Sequence, residues 1–482
     1  MLNLKLIIKI LGFLLIVEGV AMLMAFAVAA LYNGPDMLPL VQSAAICLAG
    51  GSAAVFFTRN AEKAMRKNEG FIIVSLVWIV FSLFGSLPYL ISRSIPDFTD
   101  AFFETMSGFT TTGSSILNDI ESLPKGILFW RSMTQWLGGM GIIVLSLAIL
   151  PVFGIGGMQL FAAEVPGPIT DKLNPRISQT AKNLWGIYIL FTAVETVLLR
   201  LGGMSLFDAV NHSFTTMATG GYSTKQASIA YWDSAYIQYT ITVFTFIAGA
   251  NFTLSYAALS GRFSRVYRDE EFKYYFLFVL CFILLISGGL LLSSSLGIEE
   301  TFRQAIFQVV TIITTTGYAT TDYLLWPSFL TYLLFAAFFF GGCAGSTGGG
   351  IKIMRIVLLM KNSYYELRRM LHPNAVIPVR LNGRAVSDPI ITNVLAFFMI
   401  YIIIFFSGSI LLTIVEPDLE STMGAVATSL GNIGPGLGKY GPSTNFYELH
   451  PVGKWVMSFL MLLGRLELFT VLVLFSPSFW KK

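Results

Sequence analysis

Long apolar runs separated by short polar connections fill almost the whole chain. A helix that crosses a bilayer needs about 20 mostly apolar residues. Runs of that length lie near 7–32, 39–57, 71–92, 127–150, 184–203, 235–259, 274–296, 324–341 with a continuation past 351, 389–415 and 452–475. Hydropathy therefore predicts about ten spanning helices. A second pattern sits in the connections. Four of them hold an apolar stretch too short to span, followed by a turn of small and hydroxyl residues: "DAFFETMSGFTTTGSS" from Asp100, "DAVNHSFTTMATGGYST" from Asp208, "TFRQAIFQVVTIITTTGYATT" from Thr301 and "TMGAVATSLGNIGPGLG" from Thr422. The central glycines align as Gly113, Gly220, Gly317 and Gly434. Helix, short helix, turn, helix, occurring four times, is the organising signal of the sequence. It divides the chain into an N-terminal helix pair over 1–69 and repeats over 70–163, 164–268, 269–384 and 385–482.

The turns need a physical reason. Backbone that is neither helix nor closed barrel cannot face lipid, because its N–H and C=O groups would go unsatisfied; it is tolerated within protein or around a wet cavity. Four such segments satisfy this by converging on one axis. Each short helix then ends near mid-membrane with the negative end of its dipole, which favours a cation. Glycine adopts backbone angles closed to other residues, so successive carbonyls can point inward. Rings of carbonyls can replace the hydration shell of an ion. The turns carry no charged side chain, so carbonyls and dipoles would do the coordinating.

Composition narrows the reading. Residues are 55% hydrophobic and 12% charged, against about 25% charged in soluble domains, so lipid is the main solvent. A net charge of +4 gives no nucleic-acid footprint. With the N-terminus placed in the cytoplasm, most of the 31 Lys and Arg fall on the cytoplasmic side, from Lys5 and Lys9 to Lys481 and Lys482; this predicts that both termini are cytoplasmic. No small-residue cleavage site closes the first apolar run, which reads as a retained helix and not a signal peptide. Cys47, Cys281 and Cys343 have no zinc spacing and suggest no disulfide framework. His212, His372 and His450 are scattered, and no nucleophile–base arrangement points to an enzyme.

Three further features carry chemistry. "GGCAGSTGGG", Gly341–Gly350, should break a helix. It is either a hinge or loop in the pore or a close packing seam. It is not a phosphate-binding loop, because Ile351 precedes Lys352 and no Gly-Lys-Ser/Thr follows. Arg465 is a charge inside an apolar run, which is functional by default; the bland alternative pairs it with Glu467 or a helix carbonyl. Glu18 and Glu195, also in apolar spans, read as structural pairs. The basic segment Lys361–Arg384 is either an ordinary positive-inside loop or a docking surface.

The four turns, with "TTTGY" at Thr314–Tyr318, "GNIGPG" at Gly431–Gly436 and "FFGGCAGSTGGGIK" at Phe339–Lys352, resemble the Trk/Ktr/HKT superfamily of potassium uptake proteins. The length and the extra helix pair are most similar to its bacterial TrkH/TrkG branch, and the resemblance covers essentially the whole chain. It implies an all-α polytopic membrane protein of the bacterial inner membrane, with four pseudo-symmetric helix–pore-helix–filter–helix repeats around one central pore. It implies a homodimer and a cytosolic regulatory subunit that binds nucleotides of the NAD or ATP type. The transported ion it implies is K+. The family's filter positions fall on Thr111, Thr112 and Gly113; Ala218, Thr219 and Gly220; Thr315, Thr316 and Gly317; and Asn432, Ile433 and Gly434. Some plant relatives place serine at the first filter glycine and favour sodium, so Gly113 implies potassium. The fourth turn, Asn-Ile-Gly-Pro, departs from the Thr-Gly pattern, and the symmetry is approximate. The Gly-rich stretch, with Gly345, Gly348, Gly349 and Gly350, becomes a gating loop beneath the filter. Arg465 faces the pore below the filter, and the basic segment becomes the subunit's docking surface. The competing reading is an H+- or Na+-coupled symporter. Many such folds use inverted repeats, whereas these turns all fall on one side.

Overall fold

The computed structural model describes residues 2–61, 65–141 and 177–480. Among these, six helices are long and apolar enough to cross a membrane, or eight if two sharply bent pairs each count as one span. Two predicted spans fall short of that test. The run 127–150 is described only through Lys125–Gly139 and its cap, and the run from 324 is divided by the Gly-rich loop. The remainder of 127–150, the repeat boundary at 163/164, and the basic residues Lys63, Lys172, Arg176, Lys481 and Lys482 lie outside the described residues.

The helices Leu4–Leu31 and Met37–Phe57 form the N-terminal pair. They approach closely at two glycines: a β-carbon on Gly12 would stand 2.9 Å from Gly51 O, and one on Gly51 would stand 2.7 Å from Gly12 O. Small residues allow this closeness where lipid supplies no hydrophobic drive for association.

Four repeats follow. The first has Lys67–Gly85 as its first helix, Phe98–Phe109 as its short helix and Lys125–Gly139 as its second helix. The second has Ile177–Leu201, Leu206–Met217, and a second helix broken into Ala235–Ala248 and Phe252–Leu259 with a bend of 106°. The third has Glu270–Ser293, Ile298–Ile313, and a second helix split into Ser328–Ala337 and Ile353–Leu371. The fourth has Asp388–Leu412, Leu419–Gly431, and Pro451–Arg465, which turns by 109° into the segment starting at Phe469. The first helices leave large apolar side chains exposed, such as Val197, Leu284, Leu292 and Ile410. The short helices are largely buried, Phe98–Phe109 almost from end to end. Apolar residues outside and polar turns inside is the arrangement that lipid imposes.

Strand is confined, among the described residues, to a two-residue hairpin within the basic segment. Arg380 pairs with Ala385 and Leu381 with Arg384. Asn382 and Gly383 both have positive φ (49° and 75°), as an Asn-Gly type I′ turn requires.

Candidate functional site

The short helices carry start signals in their first turns, and three of them have side-chain caps. Asp97, Ser205 and Asp418 cap them by accepting the N–H of Asp100, Asp208 and Ser421. Acidic residues, including Asp100, Asp208, Glu299, Glu300 and Glu420, lie in the first turns, where they complement the positive end of the dipole. The negative ends therefore all reach the turns.

Each short helix closes with the same hydrogen-bond pattern. Thr112 N–H donates to Ser107 O, Gly220 to Thr215, Thr316 to Thr311 and Ile433 to Thr428, at 2.7–3.0 Å. The residue just before each donor is left-handed: Thr111 (φ 54°), Thr219 (52°), Thr315 (60°) and Asn432 (55°). These are Schellman caps. Threonine is a costly choice there, because a β-branched side chain disfavours positive φ. Such strain, on the order of 1–3 kcal/mol per residue, persists where the surroundings over-determine it.

After each cap comes a glycine of positive φ: Gly113 (87°), Gly221 (76°), Gly317 (77°) and Gly434 (113°). These four meet in a closed ring. A β-carbon on Gly113 would strike Gly220 O; on Gly221, Thr316 O; on Gly317, Ile433 O; and on Gly434 it would stand 3.0 Å from Thr112 O. Every glycine thus packs against the carbonyl that precedes the equivalent glycine in the next repeat, in the order 1, 2, 3, 4 and back to 1. An open vestibule is lined by the same four glycines.

The ring corrects the register of the second turn. Matching residue names places Ala218, Thr219 and Gly220 opposite Thr111, Thr112 and Gly113. The helix ends at Met217, Ala218 is its C-cap, and Thr219 is the left-handed residue. The set equivalent to 111–113, 315–317 and 432–434 is therefore Thr219, Gly220 and Gly221. The "TGG" sequence offers two glycines, and the first one matches the Thr-Gly dipeptide.

Side chains outside the turns hold the ring. Gln135, on the second helix of repeat 1, donates to Gly220 O at 2.6 Å and accepts from Tyr222 N–H at 3.0 Å. Arg131 and Glu104 form a buried pair at 2.7 Å. Arg131 also donates to Ser223 O at 2.9 Å, and its guanidinium lies 3.5 Å from the Tyr222 ring centre. Glu104 accepts from Ile116 N–H and Ser115 Oγ beyond its own turn. His212 occupies the same position in repeat 2 and bonds Ser223 Oγ at 2.9 Å. Tyr318 OH links repeat 3 to Thr215 Oγ1 of repeat 2 at 2.5 Å. Neither Gln135 nor Arg131 stands out in the sequence, and Tyr318 is visible there only as the last residue of the "TTTGY" motif.

Opposite the vestibule the ring has a floor. The breaks in the second helices of repeats 2, 3 and 4 come together there. Cys343 N–H donates to Gly249 O at 2.8 Å, and Gly341 N–H to Ile351 O at 2.8 Å. The Gly-rich loop touches the strained threonines directly. Gly349 N–H donates to Thr315 Oγ1 at 2.6 Å, and Thr219 Oγ1 lies 3.3 Å from Thr347 Oγ1. A β-carbon on Gly348 would stand 2.8 Å from Thr314 O, and one on Gly349 would strike Gly431 O. Gly345 (φ 76°) and Gly350 (φ 64°) make the loop's sharp turns. Lys352 Nζ closes the loop on Gly348 O.

Arg465 completes the floor. Its guanidinium donates to Thr111 Oγ1 (3.0 Å), Thr347 O (2.7 Å), Gly138 O (2.6 Å) and Gly139 O (2.9 Å). It ties repeats 1, 3 and 4 together below the ring. Glu467 instead pairs with Arg355, so the Arg465–Glu467 alternative is not the arrangement found, while the carbonyl alternative is. Glu18 and Glu195 are fully buried, and neither carboxylate pairs with a cation among the described residues, contrary to the structural pairing expected. Glu18, on the N-terminal pair, lies against Gly85 at the end of the first helix of repeat 1, and Glu195 lies beside Thr216 on the short helix of its own repeat.

On the vestibule side, Glu416 accepts from Lys439 Nζ at 2.8 Å and from Tyr440 OH at 2.9 Å. Burial pushes its carboxyl up, but these two donors, with the Asp418 backbone N–H and the Lys439 charge, outweigh burial and hold it below the ordinary carboxylate range. Asp418 is held down as well, first by the Ser421 hydroxyl.

A family model described as a cation transport protein, TrkH, matches residues 39–482. The Trk system potassium uptake protein TrkH of Escherichia coli (strain K12) is 44% identical over 98% of this chain and 99% of its own length. The Trk system potassium uptake protein TrkG of the same organism is 34% identical over 98% of this chain and 97% of its own. The crystal structure of the potassium transporter TrkH from Vibrio parahaemolyticus matches with a TM-score of 0.90 at 40% identity, covering 100% of both chains.

Proposed function

The chain belongs to the TrkH family of cation transport proteins, and on that premise we propose that it is a polytopic membrane protein taking up potassium along the axis of its four turns. The observation that carries this reading is the closed ring of Gly113, Gly221, Gly317 and Gly434, each packed on a carbonyl of the next repeat. Carbonyls fixed at that spacing by four identical helix caps can take the place of water around a cation, and the four dipole ends add negative potential. The ion is the cargo, and we read the protein as a transporter and not an enzyme.

In this reading the Gly-rich loop and Arg465 are the barrier. They fill the space directly below the ring, and a positive charge there opposes a cation. Opening would require Thr347 O to leave Arg465 and Gly349 N–H to leave Thr315. We place the protein in the inner membrane with both termini cytoplasmic, on the distribution of Lys and Arg. We assign it a homodimeric state and a cytosolic nucleotide-binding subunit docking on the basic segment Lys361–Arg384; the family resemblance and the exposed Arg380 and Arg384 support this. The test is planar-bilayer recording of purified protein under K+ and Na+ in turn. Discrete unitary currents carried by K+ agree with the proposal. Uptake that demands a proton or sodium gradient, with no unitary currents, would replace it with the symport reading.

A further inference from the structure

The Gly-rich loop is held from the side as well as from above. The first helix of repeat 3 opens on three consecutive carboxylates, Asp269, Glu270 and Glu271. Glu271 is buried. One of its oxygens accepts from two backbone N–H groups, Ala344 at 2.6 Å and Met354 at 3.2 Å. Ala344 belongs to the loop, and Met354 to the first turn of the helix that follows it. That helix has Lys352 at its N-cap, with no side-chain cap bond. A single carboxylate therefore gathers both ends of the loop and satisfies a helix start that would otherwise lack a side-chain partner.

The two residues before it hold the hairpin. Glu270 accepts from Lys361 Nζ at 2.6 Å and from Asn382 N–H at 3.1 Å, and its own N–H donates to Asn382 Oδ1 at 2.7 Å. Asn382 Nδ2 donates to Asp269 Oδ2 at 3.0 Å. Asn382 is the exposed first residue of the hairpin turn. Asp269 is itself the helix N-cap, accepting from Phe272 N–H at 2.9 Å. Loop and hairpin are thus bonded to adjacent residues of one capped helical turn, with no flexible joint between them.

We propose that Asp269, Glu270 and Glu271 form a coupling element. Glu271 is a positioning residue that keeps the Gly-rich loop seated under the turns, and the hairpin at Asn382 sets the position of Glu271. Whatever displaces the hairpin loosens the loop. The proposal rests on the reading of that loop as the barrier, and the test separates the two.

Cys343 is a buried free thiol within the loop, so its reactivity reports the loop's seating. The full-length protein carrying Cys47→Ala and Cys281→Ser, reconstituted in vesicles, is treated with N-ethylmaleimide, and rubidium flux is measured on the same preparation. Glu271→Ala should raise the rate of Cys343 modification at least about tenfold, because two charge-assisted bonds are lost. Glu271→Gln retains an acceptor oxygen and should stay near the parent. Asn382→Ala, distant in sequence and outside the loop, should raise the rate in the same direction. Joined with Glu271→Ala it should add little, since both act through one element. A parent-like rate for Asn382→Ala, an unchanged rate for Glu271→Ala, or independent multiplication of the two effects overturns the coupling. If Glu271→Ala does not yield monodisperse protein, Asn382→Ala against Glu271→Gln decides alone. Faster modification with unchanged rubidium flux upholds the coupling and removes the loop as the barrier.

Discussion

The register of the second turn can be decided by exchanging one atom group at two adjacent glycines. Gly221→Ala places a methyl group where φ is +76° and where a β-carbon collides with the backbone oxygen of Thr316. The left-handed conformation costs an L-residue about 1–2 kcal/mol, and forcing extra volume into a packed site costs about 1–3 kcal/mol more. The ring between repeats 2 and 3 must therefore absorb roughly 2–5 kcal/mol by moving a carbonyl. Gly220→Ala is milder. Its backbone is not left-handed, and its β-carbon meets the amide of Gln135, the end of a side chain that can swing away. The loss there is the pair of Gln135 bonds, about 1 kcal/mol each. Reversal potentials of reconstituted protein under bi-ionic K+/Na+ conditions give the assay. Gly221→Ala should lower the K+ over Na+ permeability ratio at least about tenfold, equivalent to about 1.4 kcal/mol, and Gly220→Ala should lower it less. A folded Gly221→Ala protein with parent selectivity, beside a Gly220→Ala protein that has lost it, would return the proposed filter position to Gly220 and count against the ring as the ion path.

Other outcomes follow from the floor and the rim. Arg465→Ala removes four hydrogen bonds, and bonds to a charged group contribute about 1.5–3 kcal/mol each; potassium flux per folded molecule should rise about tenfold or more, with Arg465→Lys between mutant and parent because it lacks the planar fork. Poor yield with unchanged flux would make Arg465 structural only. Shortening Gly345–Gly350 should raise flux and weaken its dependence on the proposed cytosolic subunit, and parent flux at every nucleotide condition would reduce the stretch to a packing seam. Glu416 and Asp418 have depressed folded pKa values, so their contribution to stability is present above the unfolded carboxylate range, near about 4, and is lost as pH falls through the folded values. Glu416→Gln should therefore flatten the acid limb of a melting-temperature profile, and parallel limbs in mutant and parent would count against the Lys439–Glu416–Tyr440 contacts.

Much of the architecture is legible in the sequence because membrane solvation leaves few choices. A run such as 389–415 must be a helix if it is to cross lipid, and Asp388–Leu412 is one. The short segments are legible for the complementary reason: Phe98–Phe109 is too short to span, so it has to be enclosed. Where second helices break is less visible. The Gly-rich loop announces itself by composition, but the bends at Gly249–Asn251 and at Leu466–Leu468 do not. Neither contains a proline, and the apolar pattern runs straight through both. They are set by tertiary contacts, since Gly249 must present its carbonyl to Cys343 and the chain must turn beside Arg465. Arg131 is hidden for a similar reason. Hydropathy counts a charge near a helix start as a loop charge, and only the packed structure reveals the Glu104 carboxylate waiting for it.

The fourth turn shows why an alignment of residue names falls short of an alignment of conformations. By name, Asn432 is a departure, because threonine precedes the equivalent steps elsewhere. The shared requirement is a left-handed residue that ends a helix, followed two positions later by a glycine of positive φ. Asparagine meets that requirement at lower cost than threonine, so the fourth turn is the relaxed member and the other three are the strained ones. Its side chain also braces the neighbouring repeat, since Asn432 Nδ2 donates to Thr112 Oγ1 at 2.9 Å, and it ties the turn to its own second helix by donating to Met461 O at 3.0 Å. The three threonines spend their hydroxyls downward, on Arg465, Thr347 and Gly349 N–H. A residue type chosen for strain in three repeats and for ease in the fourth is explained if the hydroxyl below the ring is needed where the floor makes contact. Beneath Asn432 the floor comes up as a bare glycine: a β-carbon on Gly349 would stand 2.9 Å from Asn432 Cβ and 3.0 Å from its Oδ1.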